Sequence, residues 1–174
     1  LESVDVELGL TGLDGDAVIT LEQIVQMIGG LTENGSNFDD FAAVAQDVIA
    51  RKITSPEHLG IMGGSQGGLL VGGTFVQRPE LFEAVVCLVP LLDMRRYNKL
   101  LAGNSWMAEY GDPDTDDWDY IQKWSPYHNL SKDKVYPKVF FATSTRDDRV
   151  HPGHARKMVA RMTDMGKPVY YYEN

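Results

Sequence analysis

An apolar strand, a turn of small residues and an apolar helix follow one another directly in Leu59-Gly60-Ile61-Met62-Gly63-Gly64-Ser65-Gln66-Gly67-Gly68-Leu69-Leu70. Few folds accept that succession. Gly63, Ser65 and Gly67 fit the pattern G-x-S-x-G, in which a serine occupies a strained strand-to-helix turn and its neighbours are small enough for the two backbones to pass. Gly64 and Gly68 supply more small residues than the pattern requires. The helix that follows aims unpaired N–H groups at the space beside Ser65, so the N–H of Gln66 is the expected half of an oxyanion hole. The competing reading is a tight turn with a solvent-facing serine, because small residues recur in glycine-rich loops. Placement between a buried strand and an apolar helix favours the nucleophile.

The rest of the chain fits around this junction. Thr20 to Ile28 has Leu21, Ile24, Val25 and Ile28 at helical spacing, with Thr20 as N-cap and Gly29-Gly30 as a stop. Asn37 to Lys52 carries Phe38, Phe41, Val44, Ala45, Val48 and Ile49 as one stripe, with Asp39 and Asp40 at the positive end of the helix and Arg51 and Lys52 at the negative end. Gln66 to Gln77 is a helix whose Gly68, Gly72 and Gly73 permit close approach to a sheet, ended by Arg78-Pro79. Ala84 to Pro90 is a continuous apolar run, expected of a strand covered on both faces. Lys138 to Thr143 is a further strand, Pro152 to Met165 a helix with Ala155, Met158, Val159 and Met162 inward, and a last strand begins at Pro168. This alternation implies an α/β fold with a mostly parallel sheet flanked by helices and joined by right-handed crossovers. Function in such sheets lies at the carboxyl ends of the strands. Ser65 stands at one such end, and the loop Ser144 to Val150, with carboxylates Asp147 and Asp148, at another.

With 43% hydrophobic residues in 174, the chain has material for one core. No apolar run approaches the ~18 to 20 residues that cross a bilayer, so no membrane partner is expected. A formal charge of −9 argues against nucleic acid, whose phosphates require a basic face. Carboxylates crowd Asp112 to Asp119, but without spaced histidines or a calcium-loop pattern they read as a solvated turn, as does Asp14-Gly15-Asp16. Cys87, the single cysteine, lies inside the apolar run and is expected in the core. The lack of a charged-then-apolar leader in this stretch, together with one cysteine, favours a cytoplasmic over a secreted location. The stretch begins at Leu1 without a Met and ends at Asn174 within an apolar segment, and is expected to be cut from a longer polypeptide.

Four separate motifs resemble the catalytic domain of prolyl oligopeptidase-type serine peptidases. They are the elbow with Arg78-Pro79-Glu80-Leu81-Phe82 after it, the stretch Asn104-Ser105-Trp106-Met107-Ala108-Glu109-Tyr110-Gly111, the segment Trp124-Ser125-Pro126-Tyr127-His128-Asn129, and Asp147-Asp148-Arg149-Val150 with Pro152 and His154. The resemblance implies a partial α/β-hydrolase fold over residues 37–174, with residues 1–36 unassigned apart from the short helix; Leu1 to about Gly30 does not resemble the family. It implies Ser65 as nucleophile, Asp147 as the acid that orients a histidine, Arg149 as a ligand of substrate carbonyl, Val150 as a further substrate contact, and Trp106 and Tyr110 as aromatic walls of a pocket for proline. Aromatic stacking suits a flat apolar ring, and an arginine fork suits a peptide carbonyl. Asp148 is the alternative acid, and in an unrelated domain Trp106 would be core.

The expected substrate is a short peptide cut after proline, through an acyl-enzyme on Ser65, with no metal or organic cofactor. The general-base histidine of the family belongs beyond the Pro168 strand and is not in this chain. His58, His128, His151 and His154 read as surface or capping residues instead, and His151 and His154 precede the last strand. Without a base the serine is a poor nucleophile, so the chain by itself is expected to be nearly inactive. The rivals are a related oligopeptidase or esterase of other specificity and a non-catalytic hydrolase-like binding module. A truncated sheet would also expose an edge for self-association.

Overall fold

The computed structural model describes residues 17–20 and 36–174, the first four and Ser36 by backbone alone. Five strands form one sheet: β1 (Ala17–Thr20), β2 (Leu59–Gly64), β3 (Ala84–Leu88), β4 (Lys138–Thr143) and β5 (Val169–Glu173). Their spatial order is their chain order, and every neighbouring pair is parallel. The expected strands therefore form, with ends shifted by a residue or two. β1 was not anticipated, and Thr20, expected to cap a helix, ends this strand. The rest of that helix, the loop Asp14 to Asp16 and the other readings before residue 17 lie outside the described residues.

α1 (Ser36–Ala50) stops where its cap dictates. Lys52 takes φ 58°, the Ile53 N–H reaches the Val48 carbonyl at 3.0 Å and the Lys52 N–H reaches that of Ile49 at 2.9 Å, a Schellman closure with Lys in the place glycine usually holds. Arg51 and Lys52 thus belong to the cap rather than to the last helical turn. α2 (Gln66–Gln77) is buried from Gly67 through Val76, so it runs inside the protein rather than across its surface. Its glycines are seams. A Cβ on Gly72 would lie 2.6 Å from Leu92, and one on Gly73 would lie 2.2 Å from the Phe38 ring of α1.

Between β3 and β4 the chain makes a long excursion with three one-turn helices, α3 (Met107–Tyr110), α4 (Trp118–Ile121) and α5 (Pro126–Asn129). Leu91, Leu92, Met94, Tyr97 and Ile121 anchor it in the core. The acidic stretch is a turn, as expected: the Asp117 carboxylate accepts the Asp112 N–H at 2.9 Å, and Asp114 pairs with Lys99 at 2.9 Å. α6 (Gly153–Asp164) then packs Ala155, Met158 and Met162 inward before β5.

The crossover helices share one face of the sheet. Leu59, Ile61, Val85, Cys87, Val139 and Phe141 join residues of α1, α2 and α6 in one buried cluster. The expectation that the Ala84 to Pro90 strand is covered on both faces does not hold among the described residues. Along β3 and β4 burial alternates, and the register row Met62, Val86, Phe140, Tyr170 lies on the open face, with Met62 and Phe140 each 37% exposed and Tyr170 60%. The strand order is the cause. Sequential parallel strands joined by crossovers of one hand send every helix to the same side.

Candidate active site

Ser65 sits at φ 57°, ψ −116°, a conformation an L-residue adopts only when its surroundings enforce it. The enforcement is visible. Its N–H donates to the Leu88 carbonyl at 2.9 Å, which fastens the turn to the end of β3, and its own carbonyl accepts the Leu69 N–H at 3.1 Å, which starts α2. The flanking glycines are required by contact: a Cβ on Gly63 would lie 2.3 Å from the Gly67 carbonyl oxygen, and one on Gly68 would lie 2.8 Å from that of Leu88. The serine side chain caps nothing and is half-buried, so its hydroxyl is available. Gln66 opens α2, with its N–H among the unpaired donors of that terminus.

Asp147 lies past the carboxyl end of β4. One of its oxygens, Oδ1, accepts the N–H groups of Arg149 and Val150, each at 2.9 Å, an Asx turn that leaves Oδ2 for another donor. Asp148 is exposed and makes no such bond. β2 and β4 are separated by β3 alone, so Ser65 and the Asp147 loop stand about two strand spacings apart, roughly 10 Å. An imidazole fits that gap. Arg149 is exposed with no ion pair among the described residues, while Val150 is 3% exposed and packs into the core.

Trp106 and Tyr110 are half-buried on the excursion. Tyr110 meets Tyr97 edge-on at 5.7 Å and Trp124 at 6.2 Å. Burial, then the charge and hydrogen bond of Glu109, push its phenol well above the usual range. Two bonds tie this stretch to the loops around it: Gln66 Nε2 donates to Glu109 Oε1 at 2.5 Å, and the Ala102 N–H donates to the Arg149 carbonyl at 3.2 Å. The three stretches carrying the expected site residues, the elbow, the acid loop and the Trp106 to Tyr110 turn, are therefore brought to one end of the sheet.

None of the four histidines hydrogen-bonds Ser65. His58 precedes β2, a six-residue strand away from Ser65, or about 20 Å. His151 Nδ1 accepts the Gly153 N–H at 2.9 Å. His128 bonds the Ser125 hydroxyl at 2.8 Å and lies 3.8 Å from Asp93. His154 is a capping residue but not a surface one: it is 1% exposed, and its Nδ1 accepts the N–H groups of Leu92 at 3.3 Å and Asp93 at 3.0 Å. Both last histidines surround Asp93, a buried carboxylate that sequence reading did not single out. Burial would raise Asp93, but the Lys157 ammonium bonded to it, with His128 and Arg96 nearby, holds its carboxyl below the usual range. The sequence signal was an acid inside the apolar stretch Leu91-Leu92-Asp93-Met94.

Comparison with known proteins points one way. The model of the prolyl oligopeptidase family matches residues 28–173. An uncharacterized peptidase of Sinorhizobium fredii is 59% identical over 138 residues, which is 79% of this chain and 19% of that protein. The prolyl endopeptidase of Dictyostelium discoideum is 40% identical over 144 residues, 80% of this chain and 19% of that one. Among solved structures, a post-proline cleaving enzyme from Rickettsia typhi superposes with a TM-score of 0.77 at 48% identity, covering 79% of this chain and 20% of the other. The chain thus spans about a fifth of the length of the relatives it matches.

Proposed function

Because the chain belongs to the prolyl oligopeptidase family of peptidases, whose fold it shares over most of its length, we propose that it carries the nucleophile and the acid of a serine peptidase that cuts short peptides after proline. The observation that carries this reading is the strained Ser65 held between Leu88 and α2 with its hydroxyl uncommitted. In the reaction, Ser65 Oγ bonds to the scissile carbonyl carbon as its proton passes to an imidazole. The carbonyl oxygen gains negative charge and accepts the Gln66 N–H. The imidazole returns the proton to the departing amine, leaving an ester on Ser65, and a water activated by the same imidazole hydrolyses it. Asp147 Oδ2 orients that imidazole and stabilises its charged form. Trp106 and Tyr110 wall the pocket for the proline ring, Val150 forms its buried base, and the Arg149 guanidinium holds a backbone carbonyl of the peptide.

None of the four histidines hydrogen-bonds Ser65, and His128, His151 and His154 are engaged with other partners, so these 174 residues alone are expected to hydrolyse substrate very slowly. A fluorophosphonate probe tests both halves of the proposal. Faint labelling of the isolated chain is expected; strong labelling abolished by Ser65→Ala would show that another group activates the serine. For specificity, the full-length polypeptide carrying this chain is offered proline, arginine and acylated-alanine amides. Turnover of another amide with failure on proline would sink the assignment in favour of a different oligopeptidase or an esterase. No turnover of any, with no labelling, is the behaviour of a binding module.

A further inference from the structure

Resting on the peptidase reading above, we propose that Glu109 is a positioning residue whose carboxylate fixes the aromatic pocket wall relative to the nucleophile. α3 is a single turn of four residues, too short to hold its own shape. Trp106 precedes it and Tyr110 is its last residue, one turn apart on the same side, so their placement is set by what the stretch is tied to. It is held on three sides. Behind, the Tyr110 ring rests on Tyr97 and Trp124 at 5.7 and 6.2 Å. At the acid loop, the Ala102 N–H reaches the Arg149 carbonyl at 3.2 Å. At the elbow, Glu109 Oε1 accepts from Gln66 Nε2 at 2.5 Å across 43 residues of sequence. Gln66 also hydrogen-bonds the Tyr110 side chain, so among the described residues the wall meets the junction that carries Ser65 through the Gln66 amide, with Glu109 as its acceptor.

The bond has two further properties. Gln66 is the residue whose backbone N–H faces the developing oxyanion, and Glu109 directly precedes Tyr110, whose hydroxyl shares the same carboxylate. The clamp therefore sets the spacing between a ring seated on Trp106 and the atoms that attack and stabilise its carbonyl. A shift of about 1 Å in such a spacing can cost on the order of a hundredfold in rate. Because the wall stays packed on Tyr97 and Trp124, loss of the clamp displaces the seated ring without emptying the pocket.

The test is made in the full-length polypeptide with a chromogenic prolyl amide and, separately, a linear alkyl fluorophosphonate that needs no ring pocket. In Glu109→Ala, kcat for the prolyl amide is expected to fall by about tenfold or more, with KM and the labelling rate of Ser65 each within about twofold. Unchanged labelling also certifies a folded elbow. In Glu109→Gln the amide oxygen still accepts from Gln66, and kcat is expected to recover to within about threefold of the parent. Unchanged kcat in Glu109→Ala overturns the inference, as does labelling that slows in parallel, or a Glu109→Gln variant as impaired as the alanine. Labelling absent from the parent, or surviving Ser65→Ala, instead overturns the serine reading itself and the inference with it.

Discussion

His154 shows how far one buried side chain can set the pH response of this fold. Its imidazole accepts two backbone N–H groups from Leu92 and Asp93, a role open only to the neutral ring. Burial pushes its pKa down to about 4 from an ordinary 6.5; the Asp93 charge opposes this, and His151 and Lys157 add to it. In the window between those values the unfolded chain binds more protons than the folded one, so stability rises with pH across it and is lost as pH falls. The full shift corresponds to about 3 kcal/mol at the acid end. His128, lowered mainly by its own burial, contributes with the same sign. Urea unfolding at the two ends of the window is expected to reveal this loss, and His154→Gln, whose amide oxygen can accept the same N–H groups, is expected to remove most of the slope. A slope that survives the substitution would assign it to other groups. The carboxylates Glu173 and Asp93, both held low, act mainly below this window and add a loss of the same sign at its acid end, which persists in His154→Gln.

At the scale of elements, the helix after the elbow is held by what it lacks. Gly73 lets α1 lie so close that an added Cβ would meet the Phe38 ring at 2.2 Å, and Phe38 in turn packs 6.0 Å from Trp124 of the excursion. Gly73→Ala is therefore expected to destabilise by about 1–3 kcal/mol through overpacking. If the cause is that ring, the penalty shrinks below about 0.5 kcal/mol in a Phe38→Ala background, a coupling that a double-mutant cycle of unfolding free energies measures directly. Additive effects would place the cost in α2 itself. The glycines, the elbow, β4 and α6 were legible in sequence because each leaves a local mark: small residues at a fixed spacing, an apolar run, a helical stripe. β1 leaves only a faint one: Val18, Ile19 and Thr20 are β-branched and favour a strand, but four such residues running into the helical spacing of Leu21 to Ile28 are too few to fix a strand, and pairing with β2 decides it. The Gln66–Glu109 clamp and the Lys157–Asp93 pair were silent, since they join residues 43 and 64 positions apart and each partner alone looks like an ordinary polar side chain. The serine and its glycines announced themselves; the contacts that place the pocket around them did not.

For the molecule as a whole, the parallel sheet in chain order has a consequence that no single element carries. The crossover helices α1, α2 and α6 lie on one face, so the other presents Met62, Phe140, Tyr170 and Tyr172, the two tyrosines 60% and 58% exposed. β5 pairs only with β4 among the described residues, which leaves a row of backbone donors and acceptors beside the same apolar face. An edge of this kind, with aromatic rings next to it and no lysine or proline to blunt it, is a template for pairing with another strand. The 174-residue chain is therefore expected to self-associate as its concentration is raised, despite a formal charge of −9 that opposes close approach of copies. Sedimentation velocity over a concentration series measures this, and added salt, which screens that repulsion, is expected to strengthen the association. Replacing Tyr170 and Tyr172 by lysine puts two charges on the open face and is expected to shift the distribution toward monomer. Substituting Tyr120, 44% exposed but away from the sheet on α4, is the control for mere loss of surface aromatic area. A chain that stays monomeric at every concentration, or a control that disperses it equally, would refute the sheet face as the adhesive surface.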